Sequence, residues 1–278
     1  MTEPTDLAGQ TWLITGATGG VGLETARAAA GRGARVILGV RNTSRGAQVA
    51  AELPDAEVLE LDLSSLDSVR AAAAKVPDID VLVNNAGVSA DKRTETADGF
   101  ELDLATNVIG PFLFTNLVLD RVRDRVVIVS SATMVFGKTV LDLDDPNFRT
   151  RAWKKSDAYA HSKLMVMLWG SELARRTPDR KVVLTYPGWA ATGISNPTPW
   201  KILDRPMQAL TRRMGQDAAA GAQCSVYAAT ADVPTGSYIG PDGDRNLKGA
   251  PTSLEIPANA ADPAAASRVW DYLVEAAR

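Results

Sequence analysis

Between an apolar run at Thr11–Thr15 and an alanine-rich stretch at Val21–Gly31 stands Thr15-Gly16-Ala17-Thr18-Gly19-Gly20-Val21-Gly22. A strand that passes into a helix through closely spaced glycines lets the main chain approach a ligand. The helix N-terminus and its amide N–H groups then favour a bound pyrophosphate. A permissive turn with no ligand would use the same glycines. The position, strand before and helix after, favours dinucleotide binding, with Gly16, Thr18, Gly20, Val21 and Gly22 as candidate contacts. The spacing is G-x-x-x-G-x-G rather than G-x-G-x-x-G.

The rest of the chain repeats the strand–helix alternation. Candidate strands are Thr11–Thr15, Arg35–Val40, Glu57–Glu60, Val81–Asn84, Arg125–Ser130 and Lys181–Tyr186. Runs such as Val126-Val127-Ile128-Val129 suit parallel strands buried on both faces. Candidate helices are Val21–Gly31, Ser44–Glu52, Ser65–Lys75, Gly99–Leu119 and Ala158–Arg176, with Ser64 or Ser65 and Asp98 as N-caps. The pattern predicts an α/β, doubly wound parallel sheet with helices on both faces. No linker or repeat divides the 278 residues, so one domain over residues 1–278 is expected. Two irregular stretches interrupt it: an inserted loop at about residues 138–156, with Arg149, Arg151, Lys154 and Lys155 around Trp153, and a proline-rich substrate loop at about residues 192–214.

Composition narrows the function. With 45% hydrophobic residues the chain is able to build a core, and 30 basic against 33 acidic side chains argue against a nucleic-acid binder. One cysteine, Cys224, and one histidine, His161, leave no Cys/His metal site, so no metal is expected. The acidic start and the lack of a long apolar run predict no membrane span and a cytoplasmic protein.

The second candidate strand ends Leu38-Gly39-Val40-Arg41-Asn42. An NAD site usually carries an acid at such a strand end, bonded to the adenosine ribose. Arg41 stands there instead and is able to pair with a 2′-phosphate, with Arg45 one turn on to assist. Both arginines would also suit a plain solvated surface. The expected cofactor is NADP(H), in preference to NAD(H).

Tyr159-Ala160-His161-Ser162-Lys163 has the form Y-x-x-x-K. On a helix these two residues share a face, and a nearby ammonium would lower the phenol pKa and make it a usable acid/base near neutrality. Alone the pattern is common. Here it accompanies the glycine turn, Asn84-Asn85-Ala86-Gly87, Ser131 and Pro187-Gly188-x-x-x-Thr192, in order and at successive strand ends.

In these motifs the chain resembles the short-chain dehydrogenase/reductases over about residues 10–240. The resemblance implies a Rossmann-type sheet of about seven strands and nicotinamide-dependent redox chemistry on a carbonyl or alcohol. It implies Tyr159 as general acid/base, Ser131 rather than Ser130 as the hydroxyl that polarises the carbonyl, and Lys163 on the nicotinamide ribose. Asn107 would hold a proton-relay water, though an internal helix bend would also explain it. Asp62 and Leu63 would contact adenine. Asn85, Ala86 and Gly87 would flank the cofactor, and Pro187, Gly188 and Thr192 would hold its nicotinamide end.

Two departures stand out. Gly19 occupies a position where some NADP-preferring members carry a base, so the cofactor expectation rests mainly on Arg41. The 28 residues from Ser131 to Tyr159 exceed the gap in compact members. With Arg41 and Arg45, that gap is similar to the retinol-dehydrogenase and protochlorophyllide-reductase-like branch. Phe136 and Trp189 follow Ser131 and Gly188 closely and are candidates for an apolar substrate pocket, or for core. His161 points to another helix face than Tyr159 and reads as a packing or surface histidine.

The leading expectation is an oxidoreductase of a small hydrophobic ketone, aldehyde or secondary alcohol. A catalytically silent nucleotide-sensing protein of the same fold is the alternative, but it would not need Ser131, Tyr159 and Lys163 together. The resemblance implies pairing into dimers or tetramers, as in many relatives, through the two long helices that correspond here to Gly99–Leu119 and Ala158–Arg176. The charged inserted loop predicts a monomer or weak dimer instead.

Overall fold

The computed structural model describes residues 6–131, 139–189 and 216–278. In chain order these form β1 (Thr11–Thr15), α1 (Gly20–Ala30), β2 (Arg35–Val40), α2 (Thr43–Ala50), β3 (Ala56–Glu60), α3 (Leu66–Ala73) and β4 (Ile79–Asn84). A short α4 (Leu102–Leu104) passes through a π-helical turn, Ala105–Ile109, into α5 (Gly110–Val118). Then come β5 (Val122–Val129), α6 (Lys155–Arg176), β6 (Lys181–Thr185), α7 (Ala218–Thr230), β7 (Tyr238–Pro241), β8 (Pro251–Leu254) and α8 (Pro263–Ala276).

The strands form one sheet in the order β3-β2-β1-β4-β5-β6-β7-β8. All neighbours are parallel except β7 and β8, which run antiparallel. The order reverses between β1 and β4, the doubly wound arrangement in which ligands lie beyond the strands' carboxyl ends. The sheet therefore has eight strands where about seven were expected. The additional strand, Pro251-Thr252-Ser253-Leu254, is short and opens on a proline, which an edge position tolerates. Nothing in its composition marks it as a strand.

Each central strand serves both faces, which explains its unbroken apolar run. On β1, Leu13 joins one core cluster while Trp12 and Ile14 join the other. On β5, Val126 and Ile128 face the first cluster and Val127 and Val129 the second. Helices α3, α5, α6 and α8 cover the first face, and α1 and α7 the second. Helix α6 approaches closely through Gly170, where a Cβ would lie 2.6 Å from Leu184 Cδ2.

Capping follows local chemistry with one exchange of partners. Ser65 caps α3, accepting from the Ser68 N–H at 3.3 Å. Asp98, expected to cap the following long helix, accepts from Leu66 N instead, at 2.9 Å, and so also serves α3. Glu101 caps α4, accepting from Leu104 N at 3.0 Å. The stretch Leu102–Arg121 is long and apolar enough to cross a membrane by length and composition, and 72% of its apolar window is buried inside the protein. That burial marks a core helix.

Candidate active site

The carboxyl ends of the six strands β1 to β6 lie along one edge of the sheet. After β1 the chain turns through Gly16 (φ +69°) and Gly20 (φ +56°), left-handed conformations that glycine adopts without strain. A Cβ at Gly16 would fall 2.8 Å from Ala86 Cα, and one at Gly22 would fall 2.3 Å from Asn85 Nδ2. These two glycines therefore let the β4 exit close over the β1 exit. Thr15 fastens the contact: its Oγ1 accepts from Asn85 N and Ala86 N, both at 3.0 Å, while Asn85 Nδ2 donates to Thr15 O at 2.9 Å. On the open side, a Cβ at Gly19 would meet nothing within 4 Å. Gly19 is also the N-cap of α1 and offers no side-chain acceptor to its first-turn N–H groups. An open cradle of this kind, with uncapped amides, fits a diphosphate. Thr18 borders it half-buried, whereas Val21 is buried against Ala222 of α7.

At the outer end, Arg41 follows β2, exposed and without an ion pair among the described residues. Asn42 caps α2, accepting from Arg45 N at 2.9 Å, and the Arg45 guanidinium donates to Gln48 Oε1. Asp62 Oδ1 accepts from Ser64 N and Ser64 Oγ, which holds the carboxylate at the β3 exit. Leu63 is buried, with its carbonyl against Gly110, where a Cβ would come within 2.1 Å.

The catalytic candidates converge on the middle of this edge. Tyr159 and Lys163 lie on α6, with Lys163 Nζ 5.9 Å from the Tyr159 ring centroid and donating to Val129 O at 3.2 Å. Ser131 and Tyr159 share a side-chain hydrogen bond. Ser130 turns away, donating from Oγ to Lys163 O, so the two serines bond different partners. Asn107 sits in the π-helical turn, a form that recurs at functional sites. Its Oδ1 accepts from Val88 N at 2.7 Å, and its Nδ2 donates to Val88 O and to Ser162 Oγ, both at 2.9 Å. Gly87 lies between: a Cβ there would approach Asn107 Oδ1 at 3.3 Å and Lys163 Nζ at 3.4 Å.

The electrostatics depart from expectation. Burial pushes the Tyr159 phenol up to about 12; the Ser131 hydrogen bond opposes the rise and the Asp103 charge adds to it. Lys163 is driven down to about 8 by burial, with Asp103 acting in the opposite sense. The expected lowering of the phenol by the ammonium does not dominate, because both groups are desolvated and Nζ is spent on a backbone carbonyl. With the protein's own groups alone, Tyr159 holds its proton at neutral pH.

Pro187 and Gly188 follow β6. Pro187 O accepts from Gln216 Nε2 at 2.7 Å, and a Cβ at Gly188 would meet Leu247 O at 2.5 Å. Trp189 is 45% exposed, its N–H bonded to Leu247 O. Phe136, Thr192 and residues 192–214 lie outside the described residues.

Sequence reasoning missed the groups that anchor the inserted loop and one buried acid. Trp153 Nε1 donates to Glu101 Oε1 at 3.3 Å, and Asn147 Oδ1 accepts from Glu101 N at 2.8 Å. Asp103, one turn before Asn107, is fully buried. No motif marks any of them, since each reads as an ordinary polar position.

His161 has a packing role. It is 2% exposed, lies edge-on to Phe148 at 6.0 Å, and accepts the Asp142 N–H on Nε2 at 3.1 Å. Burial is the main cause of its fall to about 4. A histidine depressed below its unfolded value contributes stability that is complete above about pH 6.5 and lost as pH falls through its folded value. We expect Tm to fall by several degrees between those limits, and His161→Gln to flatten that slope in calorimetric scans. An unchanged slope would exclude His161 as its source.

The chain is similar to known proteins in sequence and in fold. A family model described as short chain dehydrogenase matches residues 10–141. Mouse retinol dehydrogenase 14 is 35% identical over 97% of this chain and 86% of its own length. Short-chain dehydrogenase/reductase prx1 of Penicillium rubens is 32% identical, covering 94% of this chain and 82% of its own. A crystal structure of an uncharacterised protein from Mycobacterium paratuberculosis superposes with TM-score 0.85 at 35% identity, over 99% of this chain and 96% of that one. A short chain dehydrogenase from Burkholderia cenocepacia, solved in complex with NADP, shares the fold at TM-score 0.63 and 22% identity, over 84% and 96% of the two chains.

Proposed function

The chain belongs to the short-chain dehydrogenase/reductase family, in its retinol-dehydrogenase-like branch, and we propose that it is an NADP(H)-dependent reductase of small hydrophobic carbonyl compounds. The family is one of oxidoreductases on a nucleotide-binding Rossmann-type fold. The observation that carries the finer reading is the meeting of Tyr159, Ser131 and Lys163 at one strand edge beside the glycine cradle.

When bound, the nicotinamide supplies or accepts a hydride. The protein's residues do the rest. Ser131 and Tyr159 offer two hydroxyls to one substrate oxygen, Ser131 to orient and polarise it and Tyr159 to give it a proton. The phenol is protonated at neutral pH, so it holds the proton that carbonyl reduction consumes. Lys163 would hold the nicotinamide ribose. Asn107 ties α6, through Ser162, to the segment after Gly87 and holds the two sides of the site in register. Arg41 would meet the 2′-phosphate and the uncapped amides of α1 the diphosphate. Trp189 and Phe136 remain candidates for the apolar wall of the substrate pocket. Screening a panel of carbonyls and alcohols against both cofactors by nicotinamide absorbance tests the reading. Turnover of a hydrophobic carbonyl with NADPH is expected, and cofactor binding without any turnover would favour the nucleotide-sensing alternative.

The proposal extends to a cytoplasmic protein that is a monomer or weak dimer. Here α8 is the stronger argument, ahead of the inserted loop. Trp270 packs edge-on to Phe112 of α5 at 4.9 Å and lies under the Arg176 guanidinium of α6 at 4.7 Å. Helix α8 thus packs against both helices that the resemblance gives as the pairing surface of relatives. Light scattering during size-exclusion chromatography is expected to give the monomer mass at micromolar concentration, and a stable tetramer would refute this.

A further inference from the structure

We propose that Gln216 is a positioning residue of the active site, its side-chain amide clamping the Pro187-Gly188-Trp189 turn to the β7–β8 loop and so fixing the turn beside the reactive end of the dinucleotide. The inference rests on the cofactor placement of the reductase reading and goes beyond the residues the family pattern supplies.

Gln216 stands immediately before Asp217, which caps α7 by accepting from Ala220 N at 2.7 Å. From that fixed point it bonds two other segments. Its Nε2 donates to Pro187 O at 2.7 Å, its Oε1 accepts from Gly249 N at 3.3 Å, and its backbone N donates to Trp189 O at 3.0 Å. The amide thus spends a donor on the turn and an acceptor on the loop; an apolar side chain supplies neither, and a carboxylate only the acceptor. The loop is braced against the same strand end. Trp189 N donates to Leu247 O at 2.7 Å, Tyr186 Oη donates to Asn246 O, and Asn246 Nδ2 donates to Pro241 O at 2.8 Å. Arg245 and Asn246 have φ of 50° and 55°. Non-glycine residues hold that left-handed form where the surroundings impose it, as at ligand clamps.

The place on the sheet says what the clamp serves. The glycine cradle follows β1 and Arg41 follows β2, while β4, β5 and β6 lie in that order on the other side of β1. At a strand spacing of about 4.8 Å, the β5 exit is about 10 Å from the cradle. With a 2′-phosphate at Arg41 and the diphosphate on the cradle, Ser131, Tyr159 and the adjoining β6 exit are what remains for the reactive end. That exit is the Pro187–Trp189 turn. Gly188 has φ +66°, and a Cβ on it would fall 2.9 Å from Gln216 Nε2 and 2.5 Å from Leu247 O, so the turn lies directly on its clamp. Two backbone bonds at Trp189 already tie the chain there without the Gln216 side chain. What the amide adds is a fixed Pro187 carbonyl. The peptide is planar and trans, so the direction of the Gly188 N–H is fixed with it.

The test titrates the full chain with NADPH and with 2′,5′-ADP, a fragment that lacks the nicotinamide end, by calorimetry. Gln216→Met keeps the side-chain length and removes both of its bonds. It is expected to bind NADPH about 10-fold more weakly and 2′,5′-ADP within about twofold of wild type. Its kcat for carbonyl reduction should fall by about 10-fold or more, since small misplacements of reacting groups are costly. Gln216→Glu keeps the acceptor for Gly249 N but is unable to donate to Pro187 O, and should show the same selective loss. Recovery of NADPH affinity in Gln216→Glu would place the effect on the loop alone and overturn the proposal. Equal losses for both ligands would mean general damage to the domain, and no loss for either would make the amide dispensable; each overturns it. Should Gln216→Met fail to fold, Gln216→Glu carries the comparison. The titrations need no turnover: a wild type that binds NADPH but reduces no carbonyl refutes the reductase reading, whereas failure of the clamp shows as unselective binding by the variants.

Discussion

Tyr159→Phe is expected to lower kcat for carbonyl reduction by about 10²–10⁴-fold while leaving NADPH affinity nearly unchanged. The ring survives, and with it the packing on α6; the transferable proton and the hydrogen bond to Ser131 are lost. Because the loss falls on proton transfer in the transition state, kcat and kcat/KM should fall together. Steady-state rates with a substrate whose chemistry is rate-limiting, beside a direct NADPH titration, make the check. A variant that keeps most of its turnover removes Tyr159 from the mechanism.

Arg41→Ala is expected to weaken NADPH binding by about 10- to 150-fold and to leave NADH binding almost unaffected. A charge-assisted hydrogen bond of roughly 1.5–3 kcal/mol sets that range. Arg41 is exposed and unpaired among the described residues, so its removal leaves no buried partner stranded and should cost little stability. Gln48 already engages the Arg45 guanidinium, which makes Arg45 the weaker helper. Titrating both cofactors into wild type and variant by calorimetry decides. Equal affinities of the wild type for NADPH and NADH would end the argument.

The parts of the fold that were legible in the sequence are those in which one residue pattern has one physical solution. Strands β1 and β2 match their expected limits, because an apolar run buried on both faces ends where the polar turn begins. The glycine turn was equally legible, since positive φ and close backbone approach at Gly16 and Gly22 leave little else. The long helix after Gly99 was not: its entry is set by Glu101, its first turns are α and then π, and α-helical periodicity carries no sign of a π turn. Strand β8 escaped notice because four residues opening on proline form an edge strand only through their register with β7. The motifs located Tyr159, Lys163, Ser131 and Asn107 along the chain, whereas Asp103 depends on tertiary burial. The same burial reverses the simple expectation for the phenol pKa. A Y-x-x-x-K spacing places an ammonium near a tyrosine but says nothing of how dry the site is.

Isotope transfer reaches the central claim most directly. NADPH carrying deuterium at the transferable C4 position is incubated with a reducible hydrophobic carbonyl, and the alcohol formed is examined by mass spectrometry. The account predicts one deuterium on the carbinol carbon of the product with wild-type protein, and almost no product with Tyr159→Phe. An alcohol formed without deuterium, or formed as fast by Tyr159→Phe, would contradict it.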